Sequence, residues 1–342
     1  MSTPRFIAIG ENIHCTRIYK VGGAFVKKTE AGTDAIVYAS GGTTRNLPIP
    51  ERFTKTADWE AGKVKHCAVA IWQGMNGTDP DRAAAVEYLQ TLARKQEAAG
   101  AGFLDVNVDE YTTEAPEKLK AIRWLCGHVQ GATKVPLSID SSNPDLLRAG
   151  LDACDKKLGR AMINSVSLER PDAVRLAAEY KAAVIASAAG EKGLPNSLEE
   201  RLANVARLMP LLRAAGIPDD AIYIDPLVFP VATDSTNGRS FLDSVAALRK
   251  AYGKDIHITG GLSNVSFGLP NRKLINQVFT WLAVEAGADS GIVDPLQINA
   301  RVLAELDTKS EPFRLAKDLL TGEDAFGGEF IMAHREGRLG KE

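Results

Sequence analysis

The stretch VPLSIDSSNPDLLRAGLDAC, residues 135–154, contains the unit from which most of this chain is built. Val135–Asp140 is a short apolar run that ends on a carboxylate. By strand period Leu137 and Ile139 point one way and Asp140 the other. A helical pattern then begins at Asn143, a residue suited to capping it. The same order recurs along the chain. Strand-like runs lie at RFIAIG (5–10), GFLDVNV (102–108), VPLSID (135–140), RAMINS (160–165), AAVIAS (182–187), AIYID (221–225), DIHITG (255–260) and SGIVD (290–294). Helical segments separate most of them. Ser197 caps one, and several end at glycine, as at Gly100, Gly216 and Gly253. Alternating strands and helices imply parallel strands joined by crossovers, and eight such units imply an α/β chain folded as a (β/α)8 TIM barrel. A doubly wound open sheet is the competing arrangement. It would be favoured by G-x-G-x-x-G after the first strand, where this chain has GENIH.

Length and composition agree with one such domain over residues 1–342. The residues are 45% hydrophobic and 25% charged, with a net charge of −2, which leaves no basic footprint for nucleic acid. Apolar runs stop short of a membrane span, and MSTPRFIAIG lacks the features of a signal peptide. Cys15, Cys67, Cys126 and Cys154 are scattered without a C-x-x-C pair, as expected of reduced thiols in a cytoplasmic protein. The histidines are scattered too and form no metal-ligand spacing, so no metal is expected.

Residues 15–78 do not fit the simple barrel. GAFVKKTEAGTDAIVYAS predicts a β-hairpin turning at EAGT, and TADWEAGKVKHCAVAIWQG predicts a helix. Loops that follow barrel strands sit on the catalytic face, so this insertion is expected there, as a packing or dimer contact or as a lid or partner-docking element.

Polar residues gather where the strands end. Leu104, Val106 and Val108 share one face of their strand, leaving Asp105 and Asn107 on the other, directed inward. Asn164 and Asp225 end their strands as Asp140 does. Barrel interiors are normally filled with branched apolar side chains. Leaving a polar group buried without a partner costs on the order of 1–3 kcal/mol, and an unpaired charge far more. No cluster of Lys or His is evident at the strand ends to neutralise the aspartates. A ligand presenting N–H donors in a plane would complete the pairing, and a pterin is such a ligand. GGLSNVSFGLPNR (260–272) adds a connection richer in polar groups than a strand-to-helix loop needs.

GENIH, LDVNV, PLSIDSSNPDLLRAGL, AMINSVSLE, IYIDPLVFPVATD and GLSNVSFGLPNR, in this order, resemble the pterin-binding methyltransferase family. Its members move a methyl group between methyltetrahydrofolate and the cobalt of a corrinoid protein, and the folate module of cobalamin-dependent methionine synthase belongs with them. The resemblance runs from residue 5 to about 300, with the insertion unmatched in the shorter members. It implies that Asp140, Asn164 and Asp225 hydrogen-bond the pteridine ring and that Asn264 approaches nitrogen 5, which carries the methyl group. Gly261, Ser263 and Asn12 lie in matching motifs and are implied to shape the same pocket. Phe267 stands where acetogenic members have glutamine. Arg272 is expected to tie the loop down.

The chemistry this implies is hydrogen-bond support, from Asn264 or a water linked to Asp105 or Asn107, for charge developing on nitrogen 5. Such assistance is worth about 10²–10⁴-fold. The chain contains no D-x-H-x-x-G corrinoid signature, so the corrinoid is expected on a separate protein. A homodimer is implied by the resemblance alone. Two other functions fit the same barrel. Dihydropteroate synthase would carry N-x-T-P-D-S-F after the first strand and R-x-H at the last, where GENIHCTR and GIVDPLQ stand here. A catalytically silent pterin-binding subunit would lack the need for Asn264.

Overall fold

The computed structural model describes residues 6–340. Arg5, the start of the first predicted strand, and the segment before it lie outside the described residues. Along the chain the strands are β1 (Ile7–His14), β2 (Ile18–Lys20), β3 (Val26–Lys28), β4 (Asp34–Ser40), β5 (Thr43–Pro48), β6 (Lys63–Lys65), β7 (Ala101–Asn107), β8 (Leu137–Asp140), β9 (Met162–Val166), β10 (Ala183–Ser187), β11 (Ile222–Asp225), β12 (His257–Ile258) and β13 (Ser290–Val293). Eight of them form one sheet in the order β12-β11-β10-β9-β8-β7-β1-β13. The two ends of that order meet, because Ile292 N–H donates to Gly260 O at 2.9 Å and Gly261 bridges Ile292 in parallel. The fold is therefore the (β/α)8 barrel, and each of the eight predicted strands is present.

Local signals set the helices. Asn143 Oδ1 accepts from the N–H groups of Asp145 and Leu146, and Ser197 Oγ from Glu200 N–H, as their sequence positions predict. The first strand departs from expectation. It continues past Gly10 through GENIH to His14, with Ile13 and His14 both buried.

The chain divides into two compact units. One holds the start of β1 as far as Gly10, Ala99–Gly102 and everything from Met162 onward. The other holds Glu11–Ala98 and Phe103–Ala161. In the first, β9, β10, β11 and β12 pair in parallel, as do β1 and β13. In the second, β7 and β8 pair in parallel, with Asn107 opposite Asp140.

The insertion is richer than a hairpin. The predicted hairpin is β3 and β4, turning at Thr29–Thr33, and β5 extends it to an antiparallel three-stranded sheet. Sequence reasoning passed over β5 because only Leu47 on it is buried. Val26, Ile36 and Leu47, opposite one another in register, give the small sheet an apolar face, and Tyr38 donates to Glu87 at 3.1 Å on the helix Asp79–Ala98. Where one helix was predicted there are two, Ala57–Glu60 and His66–Asn76, separated by β6.

Candidate active site

Parallel register assembles the polar end of β7 and β8. Because Asn107 lies opposite Asp140, their side chains emerge on the same side, and Asn107 Nδ2 donates to Asp140 Oδ2 at 2.9 Å. Asn107 Oδ1 in turn accepts from Asp109 N–H at 2.9 Å, which fixes the orientation of the amide. Asp109 receives the Ser141 hydroxyl at 2.6 Å. Cys15 N–H bonds Asn107 O at 2.9 Å, which draws the end of β1 to this place.

His14 arrives there with β1. Its Nε2 lies 2.9 Å from Asp105 Oδ2 and its Nδ1 lies 4.0 Å from Asp140 Oδ2. This corrects the expectation that no histidine neutralises the strand-end aspartates. Asp105 is wholly buried, and a carboxylate so placed needs a cationic or donor partner. His14 was missed because its partners are distant in sequence. The one available signal was the alternation of GENIH continuing that of FIAIG, which turns His14 to a defined face of a longer strand.

Electrostatics follow from this packing. Burial pushes the Asp140 carboxyl up to about 7, and the charge of Asp105 adds to the effect, while His14 and Asn107 oppose it. For His14, burial disfavours the imidazolium. The ion pair with Asp105 and the charges of Asp140 and Glu11 outweigh burial and hold the ring above its ordinary value.

Asn12, predicted to shape the pocket, is partly buried in the C-terminal half of β1, and its N–H donates to Gln96 Oε1 at 3.1 Å.

In the other unit Asp225 closes β11. It is buried, and Leu227 N–H donates to its Oδ1 at 2.7 Å. Leu227 adopts a φ of +71°, a left-handed conformation unfavourable to a branched side chain, and this bond helps to hold it there. Burial pushes Asp225 up to about 6, against the Leu227 N–H and the Arg201 guanidinium, which favour the carboxylate. Asn164 lies on β9, opposite Ile185 of β10.

Ser263 and Asn264 belong to one tight turn, Leu262–Ser266, which Gly261 immediately precedes. Asn264 N–H donates to Gly261 O at 3.0 Å. A Cβ on Gly261 would lie 2.9 Å from Asn264 Nδ2, so the glycine makes room for the amide. Arg272 ties the loop as expected. Its Nε donates to Ser266 Oγ and its terminal nitrogen to Ser263 O, both at 3.0 Å, and its guanidinium covers the Phe267 ring at 4.5 Å. The polar richness of GGLSNVSFGLPNR is thus partly structural: serines and arginine build the platform on which Asn264 stands.

Comparison with known proteins gives the following likenesses. The family described as pterin binding enzyme matches residues 78–294. The methylcorrinoid:tetrahydrofolate methyltransferase of Eubacterium limosum is 31% identical over 283 residues, covering 80% of this chain and 98% of that protein. The methionine synthase of Mycobacterium leprae (strain TN) is 33% identical over 222 residues, 60% of this chain but 18% of that much longer protein. Among solved structures, a Yersinia pestis dihydropteroate synthase with a pterine-sulfa conjugate superposes with a TM-score of 0.51 at 17% identity, over 64% of this chain and 87% of that one. At that identity the likeness concerns the fold alone.

Proposed function

Since the chain belongs to the pterin-binding enzyme family, we propose that it is a methyltransferase acting between tetrahydrofolate and the cobalt of a corrinoid carried by a separate protein. The observation that carries this reading is the near full-length likeness to a methylcorrinoid:tetrahydrofolate methyltransferase. It favours methyl transfer over dihydropteroate synthesis, for which the support is a shared fold. The buried Asp225 and the partly buried Asp140 suit a pterin as acceptors. Asp140 and Asp225 are carboxyls raised by burial, and N–H donors from a ligand would stabilise their charged forms.

In this reading Asp140, Asn164 and Asp225 hold the pteridine ring, and Gly261, Ser263 and Asn12 shape its surroundings. Asn264 donates through its amide to nitrogen 5. Asp105 and Asn107 order the groups that support the proton there. A proton delivered to nitrogen 5 and held there by these hydrogen bonds lets the amine leave as a neutral group, while its methyl passes in line to cobalt(I), whose electron pair forms the new bond, the corrinoid being the partner's cargo. The same contacts serve the reverse transfer. The insertion 15–78 lies on the catalytic face of a single domain and meets the corrinoid protein. The enzyme is a cytoplasmic homodimer.

The test is to mix the purified chain with tetrahydrofolate and a methylated corrinoid protein, or free methylcobalamin, and to follow the corrinoid spectrum and formation of methyltetrahydrofolate. Methyl transfer is expected. Its absence, with dihydropteroate formed instead from p-aminobenzoate and a pterin pyrophosphate, would sink the proposal.

A further inference from the structure

Both ring nitrogens of His14 look toward carboxylates, Asp105 on one side and Asp140 on the other, and the three groups lie within 4.8 Å of one another. We infer that they act as one proton-holding unit, in which His14 takes the proton of Asp140 when a pterin binds and so presents Asp140 to the ligand as a carboxylate. The inference rests on the pterin reading above and deepens it.

A pterin edge offers N–H donors, and an ionised carboxylate accepts on both oxygens. A protonated carboxyl turns an O–H toward the same donors. Asp140, whose side chain keeps 27% of its exposure, is poorly suited to ionise unaided, since it is largely desolvated and the Asp105 carboxylate is its neighbour. Asp105 has no exposure and its Oδ2 lies 2.9 Å from His14 Nε2, and in this proposal Nε2 keeps its proton in both states. The second proton of the imidazolium resides on Nδ1, the nitrogen facing Asp140. The transfer balances within the site: the Asp140 O–H bond breaks and the His14 Nδ1–H bond forms, the proton crossing the 4.0 Å gap through one bridging water, with no net proton exchanged with bulk solvent. Asn107 Nδ2, donating to Asp140 Oδ2, holds the carboxylate in place through the change.

The other charged neighbours pull in opposite directions: Glu11 favours the imidazolium and Asp109 disfavours the Asp140 carboxylate. Glu11 pairs with Arg17 at 2.5 Å, and Asp109 accepts from Ser141. Burial pushes the nearby Cys67 thiol up to about 12, so it stays neutral.

Calorimetric titration with tetrahydrofolate, in buffers of different ionisation enthalpy, counts the protons released on binding. The native protein should release few at pH 7. His14→Gln should release about one, because Asp140 must then ionise into solvent. Its affinity at pH 6.5 should fall about tenfold or more and recover as pH rises. Adding Asp105→Asn removes the like charge and should restore neutral-pH binding, which a merely structural role for His14 would not allow. If His14→Gln unfolds because Asp105 loses its contact with the imidazole, the double variant carries the test, and weak binding by it at every pH overturns the inference. A native proton count in folded His14→Gln does the same, as does a stoichiometric divalent cation in the purified protein. If the native chain binds no tetrahydrofolate at any pH, the pterin reading falls and this inference with it.

Discussion

Asp225, proposed to hold the pteridine ring, carries a cost in stability. Its carboxyl is raised to about 6 in the folded protein, above an unfolded value of about 3.9. Between those values the folded state keeps a proton that the unfolded chain releases. Its stabilising contribution is therefore complete below about pH 4 and is lost as pH rises through 6. Asp225→Asn, whose Oδ1 can still accept from Leu227, should be more stable than the native protein at pH 7 by about 1–3 kcal/mol. Urea denaturation should show that gain shrinking toward pH 4, while tetrahydrofolate affinity drops. At the neighbouring turn, Asn264→Ala should lower the rate of methyl transfer more than it weakens tetrahydrofolate binding, since the amide is proposed to act on charge that develops during the reaction. Gly261→Ala should partly reproduce this, because the new methyl group displaces the Asn264 amide. Stopped-flow transfer at the native rate in both variants would make Asn264 a packing residue.

Among the elements, the insertion sheet is built to stand on its own face. Removing β3 and β4 alone would leave β5 unpaired and Leu47 uncovered, so the informative deletion runs from residue 24 to 48. That variant should transfer methyl groups with free methylcobalamin at close to the native rate and with a corrinoid protein much more slowly. Equal losses with both would count against a docking role. A milder probe is Phe25→Ser, which alters an exposed aromatic stacked on Tyr19 at 4.8 Å without touching the β4–β5 ladder. The three-stranded sheet also marks a limit of period-two reading. β3 and β4 alternate around a glycine turn and were legible. β5, mostly exposed and polar, becomes a strand through its hydrogen bonds to β4.

For the whole molecule the proposed division of labour gives a visible expectation. The purified chain should be colourless, and its complex with a corrinoid protein short-lived, because the partner must leave to serve a second methyltransferase. Absorption spectra and gel filtration of the two proteins, alone and mixed, test this. Isolation with stoichiometric corrinoid already bound would overturn it. Among the described residues no helix is long and apolar enough to cross a membrane.

The strand-helix units, their caps and the polar strand ends were legible in the sequence, because each depends on neighbours a few residues away. Asn143 caps a helix that begins beside it, and Asp140 faces inward because Ile139 does not. The Asn107–Asp140 hydrogen bond was half legible: both side chains could be assigned a face, but the register that sets them opposite each other was not. The role of His14 came only with the tertiary structure. Its position depends on β1 running four residues beyond Gly10 and on Cys15 bonding the end of β7, contacts between segments far apart in the chain. Ionisation belongs to the same class. A sequence can place a carboxylate at the end of a strand, but desolvation and the charges packed around it decide whether it holds a proton there.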